Sequence, residues 1–228
     1  MADPRLIAAL DLPDASAARQ MVETLGEACG FYKIGLQLLP VGGTELARDL
    51  KARGLSVFLD YKLHDIPATV EKATRSITTA GADLLTVHAE PPVMRAAVEG
   101  RAGSDMKILG VTVLTAYDDA MLAEMGYAMG ARDLVMRRVD QAMAAGVDGV
   151  VASPHEAAEI RARVGDDFLI VTPGVRPAGA EKGDQKRVAT PADALAAGAS
   201  HLVVGRPITG AADPKAAAEA IAREMAEA

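Results

Sequence analysis

Short apolar runs alternate with Ala-rich amphipathic stretches from one end of the chain to the other. The runs are Leu6–Leu10, Phe31–Gly35, Ser56–Tyr61, Leu84–His88, Ile108–Thr112, Gly149–Ala152, Leu169–Thr172 and His201–Gly205. Each is too short for a helix. Most are continuously apolar, which is how strands covered on both faces of a parallel sheet read. Between them lie helical patterns over Asp14–Leu25, Thr44–Arg53, Ile66–Thr79, Val93–Gly100, Arg132–Ala145, Pro154–Val164, Thr190–Ala197 and Pro214–Ala226. A phrase recurs where helix gives way to strand: Ala80-Gly81-Ala82-Asp83, Ala145-Gly146-Val147-Asp148 and Ala197-Gly198-Ala199-Ser200, with Arg53-Gly54-Leu55-Ser56 a looser copy. Glycine just past a helix adopts the left-handed conformation that stops it, and the small polar residue turns the chain into the next strand. Eight strand–helix units without a linker or composition break predict a single closed (β/α)8 barrel over residues 1–228. An open doubly wound sheet is the alternative, because periodicity does not show closure.

One connection departs from this rhythm. From Pro173 to Arg187 runs a segment with three glycines and several charges. Loops longer than ~12–15 residues are usually lids, binding loops or disordered. The segment at about 174–188 is therefore expected to be a lid that orders over a ligand, the plain alternative being a variable surface excursion.

Composition narrows the function classes. The 228 residues are 50% hydrophobic and 24% charged, which removes disorder, but aromatics are only 3% and Trp is absent, so aliphatic side chains must fill the core. A single cysteine, Cys29, makes no internal disulfide and suits the cytoplasm. A net charge of −7 argues against general affinity for nucleic acid or anionic membrane, so an anionic substrate must find its positive charge locally. No apolar run approaches the ~18 residues of a membrane span, and the N-terminus lacks the features of a signal peptide.

In a barrel the active site lies at the C-terminal ends of the strands. There the sequence places Asp11, Lys33, Asp60, Lys62, His88, Thr112, Thr115, Gly205 and Arg206. Ionisable groups ending apolar strands are costly without a partner or a task. Asp11, Lys33, Asp60 and Lys62 could form only a neutralised structural network, yet two cations and two anions at one mouth exceed what packing requires. In Asp60-Tyr61-Lys62-Leu63-His64-Asp65, strand alternation points Asp60 and Lys62 to the same side, whereas Asp65 falls on the following loop. A lysine held between carboxylates stays protonated, which makes it a proton donor and a poor Schiff-base nucleophile. Carboxylates beside it would repel a substrate carboxylate, so the set suits loss of carbon dioxide followed by protonation of the carbanion.

Neither the P-loop nor the dinucleotide fingerprint is present. Barrels often bind phosphate with the loops after strands seven and eight, here Pro173-Gly174-Val175-Arg176 and Gly205-Arg206-Pro207-Ile208. The histidines, His64, His88, His155 and His201, show no metal-ligand spacing. Asp83 and Asp148 read as turn residues, and Met121, Met125 and Met129 as packing.

The segment Asp60-Tyr61-Lys62-Leu63-His64-Asp65-Ile66-Pro67 resembles the D-x-K-x-x-D-I-P signature of the orotidine 5′-monophosphate decarboxylase family. Ala9-Leu10-Asp11, Lys33-Ile34-Gly35, Val87-His88-Ala89, Leu114-Thr115, Pro173-Gly174-Val175-Arg176, Asp184-Gln185-x-Arg187 and Val204-Gly205-Arg206 are similar to its other motifs in order, over nearly the whole chain. The resemblance implies a (β/α)8 homodimer that converts OMP to UMP and carbon dioxide without metal or organic cofactor. It implies that Lys62 protonates C6 beside Asp60, and that Asp65 and Ile66 complete the neighbouring subunit's site. By the same resemblance Asp11 and Lys33 hold the ribose hydroxyls and the charge network, and Thr115 the pyrimidine edge. Gln185, Gly205 and Arg206 take the phosphate, and Arg176 begins the lid that carries Gln185. Two rivals stand beside this. One is a magnesium-dependent sugar-phosphate enzyme of the same superfamily, which Lys33 at the end of strand two argues against. The other is a barrel that binds a nucleotide without turnover.

Overall fold

Residues 2–177 and 189–227 are described by a computed structural model. The strands are β1 (Leu6–Ala9), β2 (Phe31–Gly35), β3 (Ser56–Leu63), β4 (Leu84–His88), β5 (Lys107–Val111), β6 (Gly149–Val151), β7 (Leu169–Thr172) and β8 (His201–Val204). All pair in parallel with their sequence neighbours, and Leu6↔Leu202 through Ala8↔Val204 join β1 to β8, so the sheet closes. The helices are α1 (Ala15–Leu25), α2 (Gly43–Ala52), α3 (Pro67–Thr78), α4 (Pro91–Gly100), α5 (Asp119–Glu124), α6 (Ala131–Ala145), α7 (Ala157–Val164), α8 (Pro191–Ala196), α9 (Arg206–Thr209) and α10 (Pro214–Ala226). Every apolar run is a strand and every amphipathic pattern a helix, their ends moved by a few residues. The short α5 and α9 were not expected: neither is long enough to show a helical period.

Two cores explain why the strands read as continuously apolar. Ile7, Ala9, Phe31, Phe58, Leu84, Leu109, Val171 and Val203 fill the barrel interior. Their strand neighbours, among them Leu6, Ala8, Leu59, Leu85, Ile108 and Leu202, pack outward against the helices. Both faces are covered, so the alternation of a half-wet sheet is lost.

The recurring phrase at the helix-to-strand joins proves to be a clamp on the barrel's N-terminal rim. Gly81, Gly146 and Gly198 all have positive φ and stop the preceding helix or turn, as the sequence predicts. The polar residue two positions on does more than turn the chain. Asp83 donates its N–H to Val57 O and accepts the Val57 N–H at 2.7 Å. Asp148 does the same with Ile108, accepting its N–H at 2.8 Å, and Ser200 with Ile170, at 3.0 Å. In each case the residue before an even strand grips the second residue of the preceding odd strand. A base from the helix layer completes each clamp: Lys51 on Asp83, Arg101 on Asp148 and Arg161 on Ser200. The fourth quarter has Gly30, without a side chain, at the corresponding place before β2.

Candidate active site

At the opposite rim, Asp11, Lys33, Asp60, Lys62, Thr115, Arg176, Gly205 and Arg206 line one cleft of ≈ 520 Å³. Six strands, or the loops that follow them, supply these residues, so the cleft exists only because the barrel closes. Asp65 and Ile66 do not line it: they sit exposed on the loop between β3 and α3, where the Asp65 side chain accepts the Ile66 N–H at 2.6 Å. Gln185 lies outside the described residues, as does most of the expected lid. The described ends of that segment meet, however. Val175 bridges to Ala189, and Arg176 N–H donates to Ala189 O at 3.0 Å.

The charges form a chain across the mouth. Lys33 rises from β2 with its Nζ 3.0 Å from Asp11 Oδ1 and 3.4 Å from Asp60 Oδ2. The same Asp60 Oδ2 lies 2.8 Å from Lys62 Nζ. The lysine held between two carboxylates is thus Lys33, whereas Lys62 has Asp60 as its ion-pair partner among the described residues. Gly35 leaves room for this arrangement, since a Cβ there would stand 2.9 Å from Lys33 Nζ.

Burial and pairing compete at these groups. Desolvation opposes the Lys33 ammonium, but Asp60 and Asp11 outweigh it and raise its pKa above the usual lysine value. Desolvation likewise opposes the Asp60 carboxylate, and Lys33 and Lys62 outweigh it and hold its pKa below the usual value. Removing one partner from such a buried set costs roughly 3–5 kcal/mol, because the remaining charge stays buried without compensation.

The backbone beneath Lys62 is irregular where simple alternation predicts a regular strand. Lys62 has φ 49°, the only non-glycine residue with positive φ among the described residues. The pairing of β3 with β4 shifts register between Leu59 and Leu63, a bulge that re-aims the lysine. One residue that the sequence reading passed over belongs here. Thr86 on β4, fully buried, accepts the Lys62 N–H at 3.0 Å and lies 2.9 Å from Asp60 Oδ1. Its signal in the sequence is faint: a hydroxyl at an interior-facing position of a strand, beside the Asp-x-Lys of the preceding one.

The His64 and His88 rings meet at 4.9 Å, tilted by 42°, just outside the cleft, with His64 Nε2 3.1 Å from Glu90 Oε2. Among the described residues, no group of three or more His, Cys, Asp or Glu side chains is placed to hold a metal ion. No described helix is long and apolar enough to cross a membrane.

A closed parallel barrel with its ionisable groups gathered at the C-terminal ends of the strands has the form of a barrel enzyme. The model of the orotidine 5′-phosphate decarboxylase / HUMPS family matches residues 4–221, and the chain belongs to that family. The chain is 64% identical over 225 residues to an orotidine 5′-phosphate decarboxylase of Caulobacter sp. (strain K31), covering 99% of this chain and 98% of that protein. It is 59% identical to one of Rhodopseudomonas palustris (strain HaA2), covering 100% of this chain and 98% of the other. The crystal structure of orotidine 5′-phosphate decarboxylase from Lactobacillus acidophilus superposes with a TM-score of 0.86 at 37% identity, over 98% of this chain and 99% of that one.

Proposed function

We propose that the chain decarboxylates orotidine 5′-monophosphate to uridine 5′-monophosphate and carbon dioxide, the closing step of UMP synthesis. The observation that carries the mechanism is the Lys62 ammonium 2.8 Å from an Asp60 carboxylate that is itself tied to Lys33. The substrate carboxylate on C6 sits beside Asp60. The C6–carboxylate bond breaks, its electron pair stays on C6, and carbon dioxide leaves. A proton then passes from Lys62 Nζ to C6, and the neutral amine regains one from solvent.

The electron pair left on C6 lies in the ring plane, orthogonal to the π system, so it cannot spread there and fixed positive charge must stabilise it. The ammonium is already in place and requires no reorganisation when charge develops. Asp60 keeps that ammonium oriented, and Lys33 and Lys62 hold Asp60 ionised, Lys33 being itself paired with Asp11. Lys33 and Asp11 take the ribose hydroxyls, Thr115 the pyrimidine edge, and Gly205, Arg206 and Gln185 the phosphate. Arg176 begins the lid over residues 174–188. Phosphate binding far from C6 helps to close that lid and order the charges.

Asp65 and Ile66 lie outside the cleft of their own chain. Ile66 is 67% exposed, and Leu36, at 55%, stands exposed on the loop after β2. Such apolar exposure beside an incomplete site supports a homodimer in which Asp65 and Ile66 of each chain complete the other's cleft. A single buried cysteine fits a reducing compartment, and we place the enzyme in the cytoplasm.

The test of the mechanism is Lys62→Ala. Turnover of OMP falls by a factor on the order of 10⁴ or more, since both the acid and the stabilising charge are gone. UMP affinity stays within about tenfold of wild type, ~1.4 kcal/mol, because the phosphate and ribose contacts persist. Turnover near the wild-type rate overturns the assignment of Lys62.

A further inference from the structure

The acid and its carboxylate both depend on one hydroxyl from the neighbouring strand. Pairing of β3 with β4 runs through Phe58↔Leu84 and Leu59↔Leu85 and resumes at Leu63↔Val87. Asp60, Tyr61 and Lys62 therefore lie opposite a single residue, Thr86. This excess of chain bends Lys62 to φ 49°, a backbone that a non-glycine residue keeps only where its surroundings hold it. It also takes the Lys62 N–H out of the regular strand ladder, and that donor needs another acceptor.

Thr86 supplies it. Fully buried and on the same face of β4 as the interior residue Leu84, Thr86 places Oγ1 3.0 Å from Lys62 N and 2.9 Å from Asp60 Oδ1. An amide N–H can only donate, so Oγ1 accepts there, and the single hydroxyl proton is committed to Asp60. With Oδ1 occupied in this way, Oδ2 is left for Lys62 Nζ at 2.8 Å and Lys33 Nζ at 3.4 Å. One hydroxyl thus fixes both the backbone from which the lysine springs and the rotation of the carboxylate that orients its ammonium.

We propose that Thr86 is a positioning residue for decarboxylation, acting through its hydroxyl on Lys62 and Asp60 without touching substrate. The inference rests on the reading of Lys62 as the proton donor. It separates from simple packing because valine has the same shape as threonine: if Thr86 only filled space, Val would replace it without loss.

The experiment measures OMP turnover, UMP affinity and melting temperature for wild type, Thr86→Val, Thr86→Ser and Lys62→Ala. Thr86→Val lowers kcat by about 10–100-fold, the scale of a displaced catalytic group, while KM and UMP affinity move less than about threefold. Thr86→Ser keeps the hydroxyl and restores kcat to within about threefold of wild type. A Thr86→Val enzyme with wild-type kcat, or equal losses in Val and Ser, overturns the inference. So does a change confined to KM. Should Val fail to fold, Thr86→Ala against Thr86→Ser makes the same comparison of hydroxyl absent and present. If wild type turns over OMP, Lys62→Ala does not and Thr86→Val matches wild type, this inference alone falls. If wild type leaves OMP untouched, the decarboxylase reading falls and takes the inference with it.

Discussion

Ionisable residues at the ends of apolar strands were the clearest signal in the chain, because a buried charge needs a partner or a purpose. Asp11, Lys33, Asp60 and Lys62 could be named on that ground alone. What the sequence did not disclose is how they are shared: alternation puts Asp60 and Lys62 on one face but is silent on the bulge, and Thr86 resembles any β-branched strand residue. The same competition between burial and pairing sets the response to pH. The Asp60 pKa is held low, so its stabilisation is present above the unfolded value of 3.8 and is lost as pH falls through the folded one. The Lys33 pKa is raised, so its share is present below 10.5 and lost as pH rises through the folded value. At mildly acidic pH the buried histidines respond instead. His201, the first residue of β8, stands edge-on to Phe31, its Nδ1 buried without a hydrogen bond among the described residues. Desolvation lowers its pKa below 6.5, so the unfolded chain binds more protons and stability drops as pH falls from 6.5. His88 shifts in the same direction, first through burial and then through neighbouring His64. The melting temperature is therefore expected to fall between pH 7 and 5, and His201→Asn to flatten part of that fall. Identical slopes in the two proteins would contradict this assignment.

At the scale of elements, the repeated phrase was legible as punctuation but not as a clamp. A glycine followed by a small polar residue signals the end of a helix, whereas the partner of that polar residue lies a full strand–helix unit back in the chain. Spacing along the sequence carries no trace of it. The Asp148 clamp joins Arg101, the Ile108 N–H and, at 3.5 Å, Lys107. Asp148→Ala is expected to cost about 2–3 kcal/mol by leaving a buried donor and a cation short of their partner. For a chain of this size that lowers the melting temperature by roughly 5–10 °C. Because Asp148 is at the rim away from the cleft, OMP turnover at 25 °C should be unchanged. A melting temperature equal to wild type would show the clamp to be ornamental. The short helices α5 and α9 escaped the sequence reading for a related reason, since one turn or so of helix has no period to detect.

Across the whole molecule, eight units predicted a barrel, but only the pairing of Leu6–Ala8 with Leu202–Val204 closes it and brings Asp11 and Arg206 to one mouth. Asp65 belongs to the signature yet lies outside that mouth, and the proposed homodimer assigns it to the neighbouring cleft. Sedimentation is expected to give twice the chain mass of 23.6 kDa. Substitution of the exposed Ile66 by Asp should shift it toward monomer and reduce turnover together, since both depend on the same contact. A monomeric wild type that turns over normally would exclude the shared site. The most direct measurement is the ultraviolet change as purified wild-type protein consumes OMP, followed with and without excess chelator. Fast loss of OMP with equimolar UMP, unaffected by chelator, is the predicted result. OMP left intact while UMP binds tightly would reduce the site to a binding site, and turnover abolished by chelator would contradict a mechanism built on Lys62 and fixed charge alone.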